Sequence, residues 1–327
     1  FHVNIISNFL NVNFYSFTSL LYNLLMSEIV IIGGGFGGLS FLKSARKTKN
    51  NFTLIDQTNH HLFQPLLYQV ATAVLSPGDI TVTIRNLFKK DKNVKVVLDE
   101  VLDINQKNNS LLLKSGNEIN YDKLLISVGS SYSYFGNDKW SRYSYGLKNI
   151  NDALDIRDNI LKAFEKAENE NNSELKASYL NFVIVGGGPT GVELAGSIAE
   201  LAFKNIKNEY RNFNSNDVNV YLVEAGPDIL PDYSNELSAK ASRYLKRMGV
   251  TLKMNEKVIN IEDKKVVTEK ETYETNNIIW AAGNKANPLI DKLKTKTDDL
   301  GRVIVNDDFS IYENNSIYVI GDASNYK

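Results

Sequence analysis

The chain has 327 residues, 43% of them hydrophobic, enough for two domains with proper cores or one large one. Its formal net charge is -1 and no long Lys/Arg block interrupts it, which argues against nucleic-acid binding driven by counterion release. It contains no cysteine, which excludes disulfide frameworks, thiolate metal sites, cysteine nucleophiles and redox catalysis through a CxxC pair.

Residues 1–25 form an unusual leader: no initial Met, many Asn and aromatic residues, and no Lys or Arg. A secretory signal needs a basic start and an unbroken apolar stretch, and a mitochondrial presequence needs Arg. Asn4, Asn8, Asn11, Asn13 and Asn23 break the apolar run, so a spanning helix is not expected. Met26 is the expected true start, with residues 1–25 non-native or disordered; a peripheral membrane-contact segment is the minority alternative. No other segment reaches about 18 consecutive apolar residues, so nothing is expected to span a bilayer.

The first device opens immediately after Met26. Glu28-Ile29-Val30-Ile31-Ile32 is the β-branched run of a buried parallel strand. It leads into Gly33-Gly34-Gly35-Phe36-Gly37-Gly38, in which Gly33, Gly35 and Gly38 satisfy G-x-G-x-x-G. The first glycine permits a tight turn, the second lets backbone approach a pyrophosphate, and the third lets helix pack on strand. The N–H groups and dipole of the following helix supply an anion site. A second strand, Asn51 to Ile55, ends at Asp56, about 20 residues on, where a ribose hydroxyl needs an acceptor.

The same device returns at Asn181. The strand Phe182-Val183-Ile184-Val185 enters Gly186-Gly187-Gly188-Pro189-Thr190-Gly191, with Gly186, Gly188 and Gly191 in register. A helix from Val192 and a charged surface stretch precede Val218 to Val223, which ends at Glu224. The acid comes later than usual, so the crossover helix must be long or extended. A carboxylate here accepts from the 2′-hydroxyl of NADH and repels the 2′-phosphate of NADPH, so NADH is predicted. One Gly-rich loop alone is weak evidence; two, each following a strand, opening a helix and preceding an acid-tipped strand, are not.

Three further segments complete the pattern. Tyr121 to Gly129 is a strand ending in a small-residue turn, and Asn277 to Gly283 repeats that design after the second loop. Both read as crossover points between domains beside the nucleotides. Ser316 to Ala323 is a strand ending in Gly321-Asp322. Taken singly, each reads better as a buried strand with a Gly turn.

Those five signals, in this order, resemble the two-dinucleotide-binding flavoprotein fold, in which the first Gly-rich loop holds FAD and the second, inserted one holds NAD(P)H. The resemblance narrows in the stretch Asp56-Gln57-Thr58-Asn59-His60-His61-Leu62-Phe63-Gln64-Pro65-Leu66-Leu67-Tyr68-Gln69-Val70-Ala71, which is similar to the type II NADH:quinone oxidoreductases, the non-proton-pumping NADH dehydrogenases. Leu75 to Ile80, Tyr134-Phe135-Gly136, Gly188 to Gly196 and Trp280-Ala281-Ala282-Gly283 match as well. The resemblance runs from Met26 to the end of the chain, and the 56–80 stretch is its most specific part.

The resemblance implies an FAD-dependent oxidoreductase that takes hydride from NADH and passes electrons to a membrane quinone in a respiratory chain without proton pumping. The competing readings are an NADH-dependent reductase of a soluble redox partner and a low-turnover flavin-binding scaffold. It implies FAD contacts from Gly33, Gly35, Phe36, Gly37, Gly38, Asp56, His61, Gln64, Gly129, Gly321 and Asp322, the last on the ribityl chain. It implies NADH contacts from Gly186, Gly188, Pro189, Thr190, Gly191, Glu224 and Gly283. It also implies a peripheral place on the cytoplasmic face of the inner (plasma) membrane, held by a C-terminal segment that follows Lys327 in the family, with a homodimer among the assemblies left open. The chain is expected to be a C-terminally truncated piece.

Glu193 admits two readings. One is a carboxylate in the first turn of the second helix complementing its dipole, worth ~0.3–1 kcal/mol. The other, from the resemblance, is a group near the nicotinamide–flavin contact that orients the cofactor or relays protons. His60 and His61 are expected on opposite faces of an extended chain, and no metal site is expected.

The expected fold is α/β, with two Rossmann-like dinucleotide-binding domains and the NADH domain inserted in the FAD domain. The expected boundaries are 26–148 and 283–327 for the FAD domain and 149–282 for the NADH domain. Asn151 is read as the N-cap of a linking helix with Ile156, Ile160 and Phe164 on its buried face, and Ser234 as the N-cap of a helix ending at Gly249.

Overall fold

The structure, a computed structural model, describes residues 27–326 apart from 207 and 208. The expectations for residues 1–25 and for Met26 lie outside the described residues. Two compact units divide the chain. The first takes the residues up to His61, Val82–Ser131 and the residues from Asn284 onward; the second takes Leu62–Thr81 and Tyr132–Gly283.

In the first unit the β-branched run Glu28–Ile32 lies inside a six-stranded sheet. Asn51–Asp56 and Val94–Leu98 follow on one side of it, Lys123–Ile126 and Asn314–Val319 on the other, all parallel. Ser310–Ile311 closes the far edge antiparallel. Central strands covered on both faces need apolar residues at every position, and Ile29, Val30, Ile31, Leu124 and Ile126 are all buried. A three-stranded antiparallel meander, Val101–Asn105, Ser110–Leu113 and Glu118–Asn120, with a bulge between Val101 and Asp103, forms the crossover to Lys123–Ile126.

The second unit repeats this plan. A parallel sheet runs in the order Val250–Lys253, Asn219–Val223, Asn181–Val185, Asn277–Trp280. Its crossover is again an antiparallel meander, Val258–Glu262, Lys265–Thr268 and Thr272–Glu274, again bulged near its start, between Val258 and Asn260. The crossover from the second Gly loop is extended as expected: helix Pro189–Glu200 continues into a π-helical turn, Leu201–Asn205, and a 3-10 turn at Ser215–Asp217 precedes the acid-tipped strand.

The compact units divide the chain differently from the expected domain boundaries. The stretches 62–81 and 132–148 and the residue Gly283 belong to the second unit, not to the first. Burial explains the first case: Leu67, Val70, Ala71 and Ile80 share one core with Ile156, Ile160, Phe164, Leu194 and Ile198. Thr72 and Ser197 also share a hydroxyl hydrogen bond at 2.7 Å. In the second case the Tyr132 hydroxyl is held by the Asp152 carboxylate, and Trp140 is buried against Trp280. Tyr145 pairs by its backbone with the edge strand, at 2.9 Å to Ile278 O and 2.7 Å from Trp280 N.

The linking helix is Ile150–Asn169, capped by Asn149 rather than Asn151. The Asn149 side chain accepts from Asp152 N while Asp152 Oδ2 accepts from Asn149 N, so the reciprocal pair fixes the start two residues earlier. Its expected buried face holds, with Ile156, Ile160 and Phe164 all at most 1% exposed. Ser234 caps Asn235–Arg247 as read, and the chain turns out of that helix at Gly249, φ +97°.

Candidate functional site: two loop-and-acid cradles

At the first loop the chain leaves Ile32 through Gly33 with φ +101°, a conformation costly for any residue with a Cβ. A Cβ there would lie 2.4 Å from the Ser127 carbonyl oxygen, so both backbone conformation and space demand glycine. A Cβ on Gly38 would sit 2.0 Å from the Gly33 carbonyl oxygen, which is how the helix Phe36–Ala45 comes to rest on the strand end. Around Gly35, the N-cap of that helix, a Cβ would meet nothing within 4 Å. The loop is thus crowded on the protein side and open at the helix start. The helix has no side-chain cap bond and no acid in its first turn, so no side chain of its own offsets its positive end.

Asp56 closes this cradle. Its Oδ2 accepts from Gly34 N at 2.5 Å, and its Oδ1 accepts from Thr58 N and Thr58 Oγ1 at 2.7 and 2.8 Å. His61 supports the loop from the other side, with Nδ1 3.1 Å from Gly34 O and its ring edge-to-face with Phe36. A carbonyl only accepts, so this contact places the proton on Nδ1. Desolvation, the largest influence on His61, lowers its pKa and favours the neutral ring. His60 turns away to Asn59 Oδ1, as opposite faces of an extended chain require.

The second loop is a near copy. Gly186 has φ +111°, and its Cβ would meet Ala281 backbone at 2.7 Å. A Cβ on Gly191 would sit 1.9 Å from Gly186 O, and around Gly188 there is again nothing within 4 Å. Helix Pro189–Glu200 likewise lacks a side-chain cap bond and a first-turn acid. Glu224 takes the role of Asp56: its Oε2 accepts from Gly187 N at 2.6 Å and its Oε1 from Gly226 N at 2.7 Å. Thr190 is half-buried and Pro189 exposed in the opening turn, where proline's missing N–H costs nothing.

Several expected site residues fall elsewhere or differently. Gln64 lies in the second unit, its amide donating to Lys148 O at 3.0 Å. Gly283 is packed rather than open, its Cβ position 2.7 Å from Ser133 O and from the Phe135 ring. Gly129 and Gly321 are open, and Asp322 is exposed, accepting from Ser130 Oγ at 2.9 Å. Gly37 packs on Ile320.

Glu193 is fifth in its helix, after Pro189, so the first-turn dipole reading is corrected: the dipole's effect fades beyond the first turn. Its residue is exposed on one side, yet its carboxyl has no hydrogen-bond or ionic partner among the described residues. Loss of water to the surrounding protein pushes its pKa up to about 7.

Sequence reasoning missed Ser127, Ser130 and Leu230. The Ser127 hydroxyl is 3.0 Å from both Ile32 O and Gly33 O, bracing the turn. Leu230 N donates to Gly187 O at 2.7 Å, the counterpart of His61 on Gly34 O. No local signal marks a serine or a leucine backbone for such a role; only the strand register could have pointed to Ser127, because Ile126 lies beside Ile32. Among the described residues no cluster of His, Asp or Glu suited to a metal ion occurs, and no helix is long and apolar enough to cross a membrane.

Two Gly-rich loop-and-acid cradles, each at the end of a parallel strand, mark the dinucleotide-binding class of α/β protein. Residues 27–327 match the family model for pyridine nucleotide-disulphide oxidoreductases, and the chain belongs to that family. Within it the chain is a member of the type II NADH:quinone oxidoreductases. It is 39% identical over 308 residues to the Mycobacterium tuberculosis type II NADH:quinone oxidoreductase NdhA, covering 90% of this chain and 66% of that protein. It is 38% identical to the Ndh enzyme of the same organism, covering 91% and 67%. The solved structure of NDH2 from Plasmodium falciparum in complex with NADH superposes with a TM-score of 0.84 at 27% identity, over 92% of this chain and 65% of that one. The chain thus spans about two thirds of the length of these relatives. With no cysteine in its 327 residues, it cannot run the disulphide chemistry in the broader family's name.

Proposed function

We propose that this chain is the dinucleotide-binding part of an NADH:quinone oxidoreductase, holding FAD in the first cradle and NADH in the second, and delivering two electrons to a quinone at a membrane surface. The observation that carries the proposal is the duplicated cradle: in each, a carboxylate fixes the middle glycine N–H, two glycines admit no Cβ, and the helix-start glycine stands open. That pattern fits a pyrophosphate on the helix N-terminus and a ribose beside the carboxylate. Bound flavin supplies hydride acceptance from the nicotinamide and onward electron transfer, which no side chain can do.

The chain's own residues do the positioning. Gly33 and Gly186 turn the backbone, while Gly35 and Gly188 leave room for the phosphates. Glu224, with both oxygens already receiving N–H groups, presents remaining lone pairs to a 2′-hydroxyl and opposes a 2′-phosphate. Asp322, with one oxygen receiving Ser130 Oγ, is exposed on the first unit for a flavin side-chain hydroxyl. Glu193, with its carboxyl near neutrality, is suited to exchange a proton as the acceptor is reduced. The proposed location is peripheral, on the cytoplasmic face of the inner (plasma) membrane.

The test is to reconstitute the chain with FAD and titrate it without oxygen, first with NADPH and then with NADH, following the visible flavin absorbance. The expected result is bleaching by NADH and little by NADPH, with reoxidation by a short-chain quinone. Retained flavin that NADH leaves oxidised would overturn the oxidoreductase reading.

A further inference from the structure

Glu256 is only 3% exposed, and nothing in the nucleotide-binding pattern calls for a carboxyl at that position. Burying one is costly unless its surroundings satisfy it and it performs some task. Its surroundings are hydroxyls: Thr268 Oγ1 lies 2.8 Å and Tyr273 OH 2.7 Å from its Oε1, both on the antiparallel meander and both buried. The nearby cation, Lys253, is committed to Glu271 and to the faces of Tyr221 and Tyr273.

The backbone beside Glu256 frames the acid of the second cradle. Glu224 N donates to Lys253 O at 2.9 Å, Glu256 N donates to Glu224 O at 2.9 Å, and Asn255 N donates to Gly226 O at 2.8 Å. Gly226 N in turn donates to Glu224 Oε1. Segment 253–256 therefore holds the peptide units on both sides of Glu224, with Asn255 in a left-handed turn, φ +51°. The anchor of that segment in the protein interior is the Glu256 carboxyl on Tyr273 and Thr268.

We infer that Glu256 is a positioning residue for dinucleotide selection: through segment 253–256 it ties the meander to Glu224 and sets where the carboxylate stands beside the ribose. This rests on the reading of the second cradle as an NADH site. It assigns the meander, which contributes no residue to the Gly loop, a part in discriminating NADH from NADPH.

The experiment measures NADH and NADPH dissociation constants of the full chain by quenching of its own tryptophan fluorescence, without turnover. Glu256→Ala is expected to weaken NADH about tenfold and NADPH far less, so that the preference between them narrows. Glu256→Gln, which still accepts from both hydroxyls, should restore the preference; a purely packing role would not predict that rescue together with a selective change. If Glu256→Ala does not fold, Tyr273→Phe removes one of the two hydroxyls and should narrow the preference about threefold. A wild-type preference that stays within twofold in the variants that fold would overturn the inference alone. A wild-type chain that binds neither dinucleotide would overturn the NADH reading and the inference with it.

Discussion

The two cradles place the same parts on different supports. Both have an acid at the end of the neighbouring strand whose carboxylate accepts from the middle glycine N–H, and a third glycine whose Cβ would collide with the first glycine's carbonyl. They differ in what holds the middle carbonyl and the acid. In the first cradle a side chain, His61, meets Gly34 O, and Asp56 is braced by its near neighbour Thr58. In the second a backbone N–H, from Leu230, meets Gly187 O, and Glu224 is braced by Gly226 and framed by 253–256. The lesson is that the loop and acid are fixed by local stereochemistry, while the braces are free to come from wherever the fold brings a donor.

The strongest way to break the equivalence is at the third glycine. Gly38→Ala and Gly191→Ala each put a methyl carbon about 2 Å from a carbonyl oxygen that belongs to backbone, which must shift at a cost of ~1–3 kcal/mol or more. Gly38→Ala is expected to abolish FAD retention and Gly191→Ala to abolish NADH binding with flavin kept, as read by flavin content and by fluorescence titration. If Gly191→Ala lost flavin while binding NADH normally, the assignment of the two cradles would be reversed.

A finer cut separates folding from binding at the helix-start glycine. Gly35→Ala and Gly188→Ala meet nothing within 4 Å, so unfolding stability should change by no more than ~1 kcal/mol. The added methyl stands where the pyrophosphate must approach, so dinucleotide affinity should still fall about tenfold or more. Unchanged affinity in both variants would mean the open space is not the phosphate site.

The smallest expected effect distinguishes the cradles by Glu193, which has no equivalent in the first helix. Its folded-state pKa is raised by desolvation, so its neutral form is the favoured one. The associated stability is present below the ordinary carboxylate range and is lost as pH rises through about 7. Solvent on its open side screens the effect, so Glu193→Gln should raise Tm by only about one or two degrees at pH 8 and hardly at all at pH 5. The same variant should remove a limb near neutral pH from the quinone-reduction profile. A wild-type profile flat through that range would dismiss the proton-exchange role.

What the sequence determined on its own is everything that depends on short-range stereochemistry. Apolar β-branched runs named the central strands, and glycine spacing named the turns, because only glycine tolerates φ near +100° with a carbonyl at its Cβ position. Asp56 and Glu224 were legible because each stands at the C-terminal end of an apolar strand, Asp56 as its last residue and Glu224 just after it. The 56–80 stretch was legible as a resemblance, but its place in the molecule was not. Leu67, Val70 and Ile80 show which residues want burial, not which of two cores will bury them, and the tertiary structure gave them to the second. The start of the linking helix was a choice between two nearby asparagines, decided by the reciprocal bond between Asn149 and Asp152. Ser127, Leu230 and Glu256 were invisible for the same physical reason: each acts through partners far along the chain, and a hydrogen bond between distant segments leaves no periodicity in the sequence.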